Sequence, residues 1–110
     1  MFAKTLPPPY VAVIFTNTRT GVDDQGYLEM ASRMEELAKD QDGFLGTENA
    51  RSADGISITL SYWRDEEAAL NWKRDAEHLA AQKLGREKWY QAFTLRVATV
   101  TRDYSFEREA

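Results

Sequence analysis

Residues 56–82, with the sequence ISITLSYWRDEEAALNWKRDAEHLAAQ, change from a strand pattern to a helix pattern with no loop between them. Apolar side chains alternate over the first part, which is the period of a half-buried strand. Trp63 ends this strand, and Asp65 is a candidate N-cap because a carboxylate accepts hydrogen bonds from free amides at a helix start. The helix pattern continues until it fades near Gly85. The segment therefore predicts a compact βα unit.

Three other segments have strand patterns, and a second segment has a helix pattern. Residues 10–18 (YVAVIFTNT) and 92–104 (AFTLRVATVTRDY) are rich in β-branched and aromatic side chains, and 44–52 (FLGTENARS) is a weaker strand. An apolar stripe from Tyr27 to Ala38 indicates an amphipathic helix. The order β-α-β-β-α-β predicts a ferredoxin-like α+β sandwich, with a four-stranded antiparallel sheet and both helices on one face.

Length and composition limit the number of domains and the kinds of site. A chain of 110 residues is one domain, 1–110, and we place its core at about 10–104. The net charge of −4 and the scattered basic residues argue against a nucleic-acid partner. Without cysteine and with one histidine, a metal site built by a single chain is not expected. No long apolar run or signal-peptide pattern occurs, which predicts a cytoplasmic protein without a membrane partner.

The first strand is apolar on both faces, although helices would cover only one side of the sheet. One face carries Val11, Val13 and Phe15, and the other carries Tyr10, Ala12 and Ile14. An exposed apolar sheet surface of this size usually marks an association site. We therefore predict a homodimer in which two sheets pack face to face.

The second predicted helix carries a polar stripe next to its apolar one. If the helix is continuous, residues at spacings of four, three and four share one face. They are Asn71, Asp75, His78 and Gln82. His78 would then lie within reach of Asp75 or Gln82, and its ordinary pKa near neutrality suits it to proton transfer. It is either a histidine that lines a pocket or an ordinary surface histidine.

Aromatic and amide side chains around this helix admit both functional and structural interpretations. Trp72 points to the helix–sheet interface, either as a pocket wall or as a core filler. Asn17 ends the first strand on the face of Phe15, where a buried amide must find a partner and a terminal one would be solvated. Trp63 could line a cleft or the dimer seam.

The order βαββαβ, the sequence GFLGTE after the first helix and ITLSYWRDEEAALNW before and within the second resemble the antibiotic biosynthesis monooxygenase-like family. The resemblance covers about residues 10–104. It implies a dimeric α+β barrel in which each subunit has a pocket between its helices and its sheet. Members include oxygenases that oxidise aromatic phenols or quinols without metal or flavin, heme-degrading enzymes, and proteins with no demonstrated activity.

The resemblance distinguishes a heme branch from a cofactor-free branch. The heme-degrading members use an asparagine at the end of strand one, a tryptophan in helix two and a histidine ligand further along that helix. Asn17 and Trp72 match the first two positions, but Gln82 stands at the ligand position, one turn past His78. Because glutamine is a poor ligand for iron, the resemblance favours the cofactor-free branch.

For that branch, the resemblance implies a monooxygenase that uses molecular oxygen and no cofactor or metal to oxidise a small aromatic, quinol or polyketide-like substrate. We expect three catalytic residues: Asn17 binds a substrate oxygen, Trp72 stacks on the ring and His78 takes a proton. The residues expected to contact the substrate are Trp63, Phe15, Gln82 and Leu79. A non-catalytic dimer that binds an apolar ligand or supports another enzyme is an alternative, and heme binding or degradation is a second one.

Overall fold

The computed structural model describes residues 2–109 and confirms the ferredoxin-like α+β fold, although the second helix is divided in two. The elements are β1 (Tyr10–Arg19), α1 (Asp24–Lys39), β2 (Phe44–Arg51), β3 (Ser57–Trp63), α2 (Glu66–Arg74), α3 (Ala76–Leu84), a π-helical turn (Gly85–Trp89) and β4 (Tyr90–Val100). Within residues 2–109, no helix is long and apolar enough to cross a membrane. The cytoplasmic location stays a prediction.

The four strands form one antiparallel sheet in the order β2-β3-β1-β4. In this register Val11 lies opposite Trp63, and Asn17 lies between Ser57 and Phe93. Side chains that lie opposite each other in neighbouring strands point to the same face. The helices therefore cover the face of β1 that carries Val11 and Asn17.

The hydrophobic core lies at one end of this covered face. It contains Val11, Ala38, Trp63, Ala68, Ala69 and Trp72. Because Val11 is near the start of β1 and Trp63 ends β3, tight packing is concentrated where these two strand ends meet. Further along β1, α1 and α3 stand over the sheet and leave a cavity.

Asp75 divides the predicted second helix, so the expected continuous polar stripe is wrong. Its backbone is extended (φ −57°, ψ 133°), and its carboxylate accepts hydrogen bonds from the amides of Glu77 and His78 at the start of α3. An aspartate can satisfy free amides in this way and so competes with helix continuation. Helical spacing alone therefore does not relate Asn71 to His78.

Within residues 2–109, no helix packs on the opposite face of the sheet, but the segments that contain Ala3 and Asp103 cover part of it. The amide of Ala3 donates to Glu48 Oε2 over 3.0 Å, and the Tyr10 hydroxyl donates to Asp103 Oδ2 over 2.6 Å. Tyr10 and Ala12 are buried, whereas Ile58, further along the same face, is exposed. We call the sheet face that carries Ala12 and Ile58 the open face.

Candidate functional site

A cavity of about 480 Å³ lies between the sheet and helices α1 and α3. Its floor carries a row of hydroxyl groups from β3, namely Ser57, Thr59 and Ser61. Aromatic side chains from several elements line its walls, including Phe15 of β1 and Trp72 of α2. The cavity can therefore accept a flat apolar molecule and offer hydrogen bonds to its oxygen atoms.

His78 lies in the cavity wall and is fixed by Trp72. The two rings stack with their centroids 4.4 Å apart, and His78 Nδ1 lies 2.9 Å from the carbonyl oxygen of Trp72. Since a carbonyl oxygen only accepts hydrogen bonds, Nδ1 carries the hydrogen, and Nε2 of the neutral ring holds the lone pair. The expected ring partner, Asp75, instead binds the backbone amide of His78.

Burial controls the protonation state of His78. It lowers the pKa of the imidazole below the ordinary value of 6.5, although the Trp72 carbonyl and the charge of Asp75 act in the opposite direction. A lowered pKa leaves the ring neutral at about pH 7. The His78 side chain can therefore accept a proton at Nε2.

Asn17 is buried next to the cavity and is 3 % exposed. Within residues 2–109, neither its amide nitrogen nor its amide oxygen has a hydrogen-bond partner. It is not one of the residues that line the cavity, but Phe15, Arg19 and Ser57 around it are. A buried amide without partners is costly, and its functional role stays a prediction.

An aromatic cluster lines the cavity near the end of β1. Tyr27 of α1 packs edge-on against Trp89 and Tyr90, each with centroids 5.8 Å apart, and the Arg19 guanidinium lies 4.3 Å above the Tyr27 ring. Burial, followed by the influence of Tyr27, raises the pKa of Tyr90, which keeps its phenol protonated.

Sequence reasoning missed this cluster as part of a site. Tyr27 fitted the core stripe of the first helix, and Trp89 and Tyr90 lay in a segment whose structure was ambiguous. One signal was available, since Arg19 follows Asn17 by two residues along the same strand. A cationic side chain beside a buried amide is unusual in a sheet core.

The structure brings together four of the residues selected from the sequence. Phe15, Trp72, His78 and Gln82 all line the cavity. The functional roles assigned to them stay predictions.

Two other selected residues, Trp63 and Leu79, lie away from the cavity. Trp63 is fully buried in the core, where it stacks on Trp72 with centroids 6.1 Å apart and its Nε1 donates to Ser61 Oγ. Its indole is therefore occupied by packing against α2. Leu79 is 50 % exposed, because α3 begins anew after Asp75 and turns His78 and Gln82 toward the cavity instead.

Two comparisons of the sequence with known proteins give a consistent result. The family model described as antibiotic biosynthesis monooxygenase matches residues 9–84. The uncharacterized protein YqjZ of Bacillus subtilis (strain 168) is 48 % identical over 105 residues, which are 96 % of this chain and 91 % of that protein. The jasmonate monooxygenase ABM of Pyricularia oryzae is 35 % identical over 94 residues, which are 82 % of this chain. The match spans only 43 % of the fungal protein.

Solved structures with the same fold include an oxygenase. SnoaB, a cofactor-independent oxygenase from Streptomyces nogalater, superposes with a TM-score of 0.70 at 16 % identity, over 92 % of this chain and 100 % of SnoaB. Rv0793 from Mycobacterium tuberculosis superposes with a TM-score of 0.74 at 19 % identity, over 87 % of this chain and 99 % of Rv0793. At these identities the likeness establishes the fold.

Proposed function

The chain belongs to the antibiotic biosynthesis monooxygenase family, and from this we propose that it is a cofactor-independent monooxygenase acting on a small aromatic, quinol or polyketide-like substrate. The observation that carries the proposal is the position of His78 in the cavity wall, stacked on Trp72 with Nδ1 engaged by a carbonyl oxygen; burial, which lowers its pKa, supports a neutral ring. This arrangement leaves Nε2 as a base for a phenol or an enol.

The proposed reaction uses molecular oxygen as the only oxidant. His78 Nε2 takes a proton from the substrate, and the resulting anion gives one electron to O2. The substrate radical and superoxide then combine, forming a C–O bond at a carbon that retains one hydrogen. Cleavage of the O–O bond with loss of that hydrogen gives a carbonyl group and hydroxide, which takes the proton from His78 to form water. One oxygen atom thus enters the product and the other becomes water.

Three features of the cavity support binding of such a substrate. Trp72 and Phe15 offer aromatic surfaces to a flat ring, and the hydroxyl row of β3 offers hydrogen bonds. Asn17, whose amide has no partner within residues 2–109, is the proposed donor to a substrate oxygen. Separation from bulk water would favour electron transfer from the anion because its hydration is reduced.

We also propose that the working form is a homodimer joined through the open face. The support is that this face carries no helix and that Ile58 on it is 37 % exposed. Apolar sheet surface of this kind is normally covered by association.

Oxygen consumption with a panel of quinols and anthrones tests the monooxygenase proposal. Jasmonate belongs in the panel because the fungal relative is named a jasmonate monooxygenase. We expect His78→Gln to lower kcat by about 10²- to 10⁴-fold, the usual contribution of a general base. Leu79→Ala is the matched control, since it changes the next residue of α3 outside the cavity and should leave kcat unchanged.

The same measurements separate the alternatives. Saturable ligand binding without oxygen consumption would indicate a non-catalytic binding protein, and a Soret band after heme addition would indicate heme binding. Equal kcat for His78→Gln and the unaltered protein would contradict the role of His78 as the base.

A further inference from the structure

Arg19 contributes a guanidinium to the wall of the cavity, which Glu35 also lines. Among residues 2–109, no carboxylate forms an ion pair with its guanidinium. Its Nη1 is buried and lacks a hydrogen-bond partner, although the group packs on the Tyr27 ring. A buried guanidinium nitrogen without an acceptor is costly, so an acceptor supplied by a ligand would stabilise this arrangement.

Two other buried polar side chains lie near Arg19. Trp89 is 5 % exposed, and its indole N–H lies close to the Asp23 carboxylate, where it helps to lower the pKa of that acid. Trp89 and Arg19 both contact Tyr27 and both line the cavity. Asn17, two residues earlier on β1, contributes an amide without a partner. Arg19 Nη1 at one end of the cavity, and the Asn17 amide buried next to it, are therefore polar groups without partners within residues 2–109.

A second guanidinium lies at the same end of the sheet. Arg51 lines the cavity and lies opposite Ser57, which in turn lies opposite Asn17. Arg19 and Arg51 also line a smaller adjoining recess with Asp24 and Asp54, and neither arginine forms an ion pair with these acids in the part of the chain that the structure describes. Two guanidinium groups that form no ion pair within residues 2–109 thus lie at this end of the cavity, beside the carboxylates of Asp24 and Asp54.

We propose that this end of the cavity is a carboxylate subsite, and that the substrate is an aromatic or polyketide-like molecule with a carboxylate at the end remote from the oxidised carbon. The assignment rests on the proposed function. A guanidinium offers two parallel N–H groups that match the two oxygens of a carboxylate.

The subsite lies away from the proposed base. Arg19 is at the end of β1, whereas Trp72 packs on Trp63, the partner of Val11 near the start of β1. A substrate anchored by Arg19 would therefore extend along β1 toward Trp72 and His78. Its length and its acid group together would fix which carbon lies next to Nε2.

Calorimetric titration with 6-hydroxy-2-naphthoate, whose hydroxyl and carboxylate lie at opposite ends of the rings, and with its methyl ester tests the subsite without requiring turnover. The two ligands have the same rings and differ in charge. We expect the acid to bind about tenfold or more tightly than the ester, the usual effect of a charge-assisted hydrogen bond. Arg19→Gln should remove this difference while leaving the ester affinity within about twofold.

Arg74→Gln is the matched control, because it removes the same charge from an exposed position of α2 outside the cavity. Its acid-to-ester ratio should equal that of the unaltered protein. If Arg19→Gln fails to fold by circular dichroism, Arg51→Gln replaces it and should lower the ratio.

Equal binding of acid and ester, no binding of the acid, or the same loss in Arg74→Gln would overturn the subsite. These outcomes are distinct from failure of the proposed function. A protein that prefers the acid but consumes no oxygen would keep the subsite and lose the monooxygenase assignment.

Discussion

At the scale of single residues, packing determines the orientation and the tautomer of His78, the proposed base. Stacking on Trp72 fixes the ring plane, and the Trp72 carbonyl fixes which nitrogen carries the hydrogen. Burial lowers the pKa of His78, so the neutral form needed for proton abstraction is present at about pH 7. Position, tautomer and charge thus have separate physical causes.

Activity should therefore depend on pH through His78. Because the base works unprotonated, kcat/KM should be level at about pH 7 and fall as the pH drops through the lowered pKa, below 6.5. His78 is the only histidine, so titration of its ring signals by NMR measures this pKa directly. A ring pKa above 6.5, or a pH profile unchanged in His78→Gln, would contradict this.

The free energy of unfolding should also depend on pH through His78. The unfolded chain binds the proton near pH 6.5, but the folded chain binds it only at the lowered pKa. The contribution of His78 to the free energy of unfolding is therefore fully present above 6.5 and is lost as the pH falls through the folded pKa. The free energies of unfolding in urea of the unaltered protein and of His78→Gln should therefore differ in their pH dependence between 6.5 and the lower pKa of the folded protein.

At the scale of elements, Asp75 decides where the second helix stops and the third begins. Its carboxylate caps α3, and its charge raises the pKa of His78. Helix periodicity predicted helical structure on both sides of Asp75. Periodicity does not distinguish a polar residue within one continuous helix from a cap that begins a new helix. The division could not be predicted because it depends on which backbone conformation the surrounding packing selects.

Two substitutions distinguish the helix-capping role of Asp75 from the effect of its charge on the pKa of His78. Asp75→Asn keeps a good cap and should leave the unfolding free energy nearly unchanged, whereas Asp75→Ala should lower it by about 0.5–2 kcal/mol. Both variants lose the negative charge and should lower the His78 pKa further. Urea unfolding and NMR titration measure the two effects. Equal stability of both variants would show that the cap is not needed.

At the scale of the whole molecule, the open face is the surface through which we propose that two chains associate. The N-terminal segment covers part of it through Ala3 and Glu48, and Tyr10 binds Asp103 of the C-terminal segment. These contacts leave the region around Ile58 exposed. The apolar area left for a partner chain is thus smaller than the sequence pattern suggested.

Replacing Ile58 by a charged residue should prevent dimer formation. We expect the unaltered protein to have twice the mass of one chain in light scattering, and Ile58→Glu to have the mass of one chain, because a buried unpaired carboxylate is costly. Leu79→Glu is the control, as Leu79 is a similarly exposed apolar residue on the helical side. A single-chain mass for the unaltered protein would contradict the proposed dimer.

The sequence alone determined the order of the elements, the ferredoxin-like fold and the two-sided apolar character of β1. Such features depend on local periodicity, turn residues and caps, which act over a few neighbouring residues. It also identified four cavity residues, Phe15, Trp72, His78 and Gln82, because each lies on the inward face of its element.

Only the tertiary structure decided which inward side chains fill the core and which line the cavity. Trp63 and Trp72 follow similar patterns, yet the first is enclosed and the second borders open space. The group of Arg19, Tyr27 and Trp89 unites a strand, a helix and a π turn that are distant in the chain. The local sequence pattern predicts the face of an element on which a side chain lies. Whether that face meets the core or the cavity depends on how α3, which begins after Asp75, packs over the sheet.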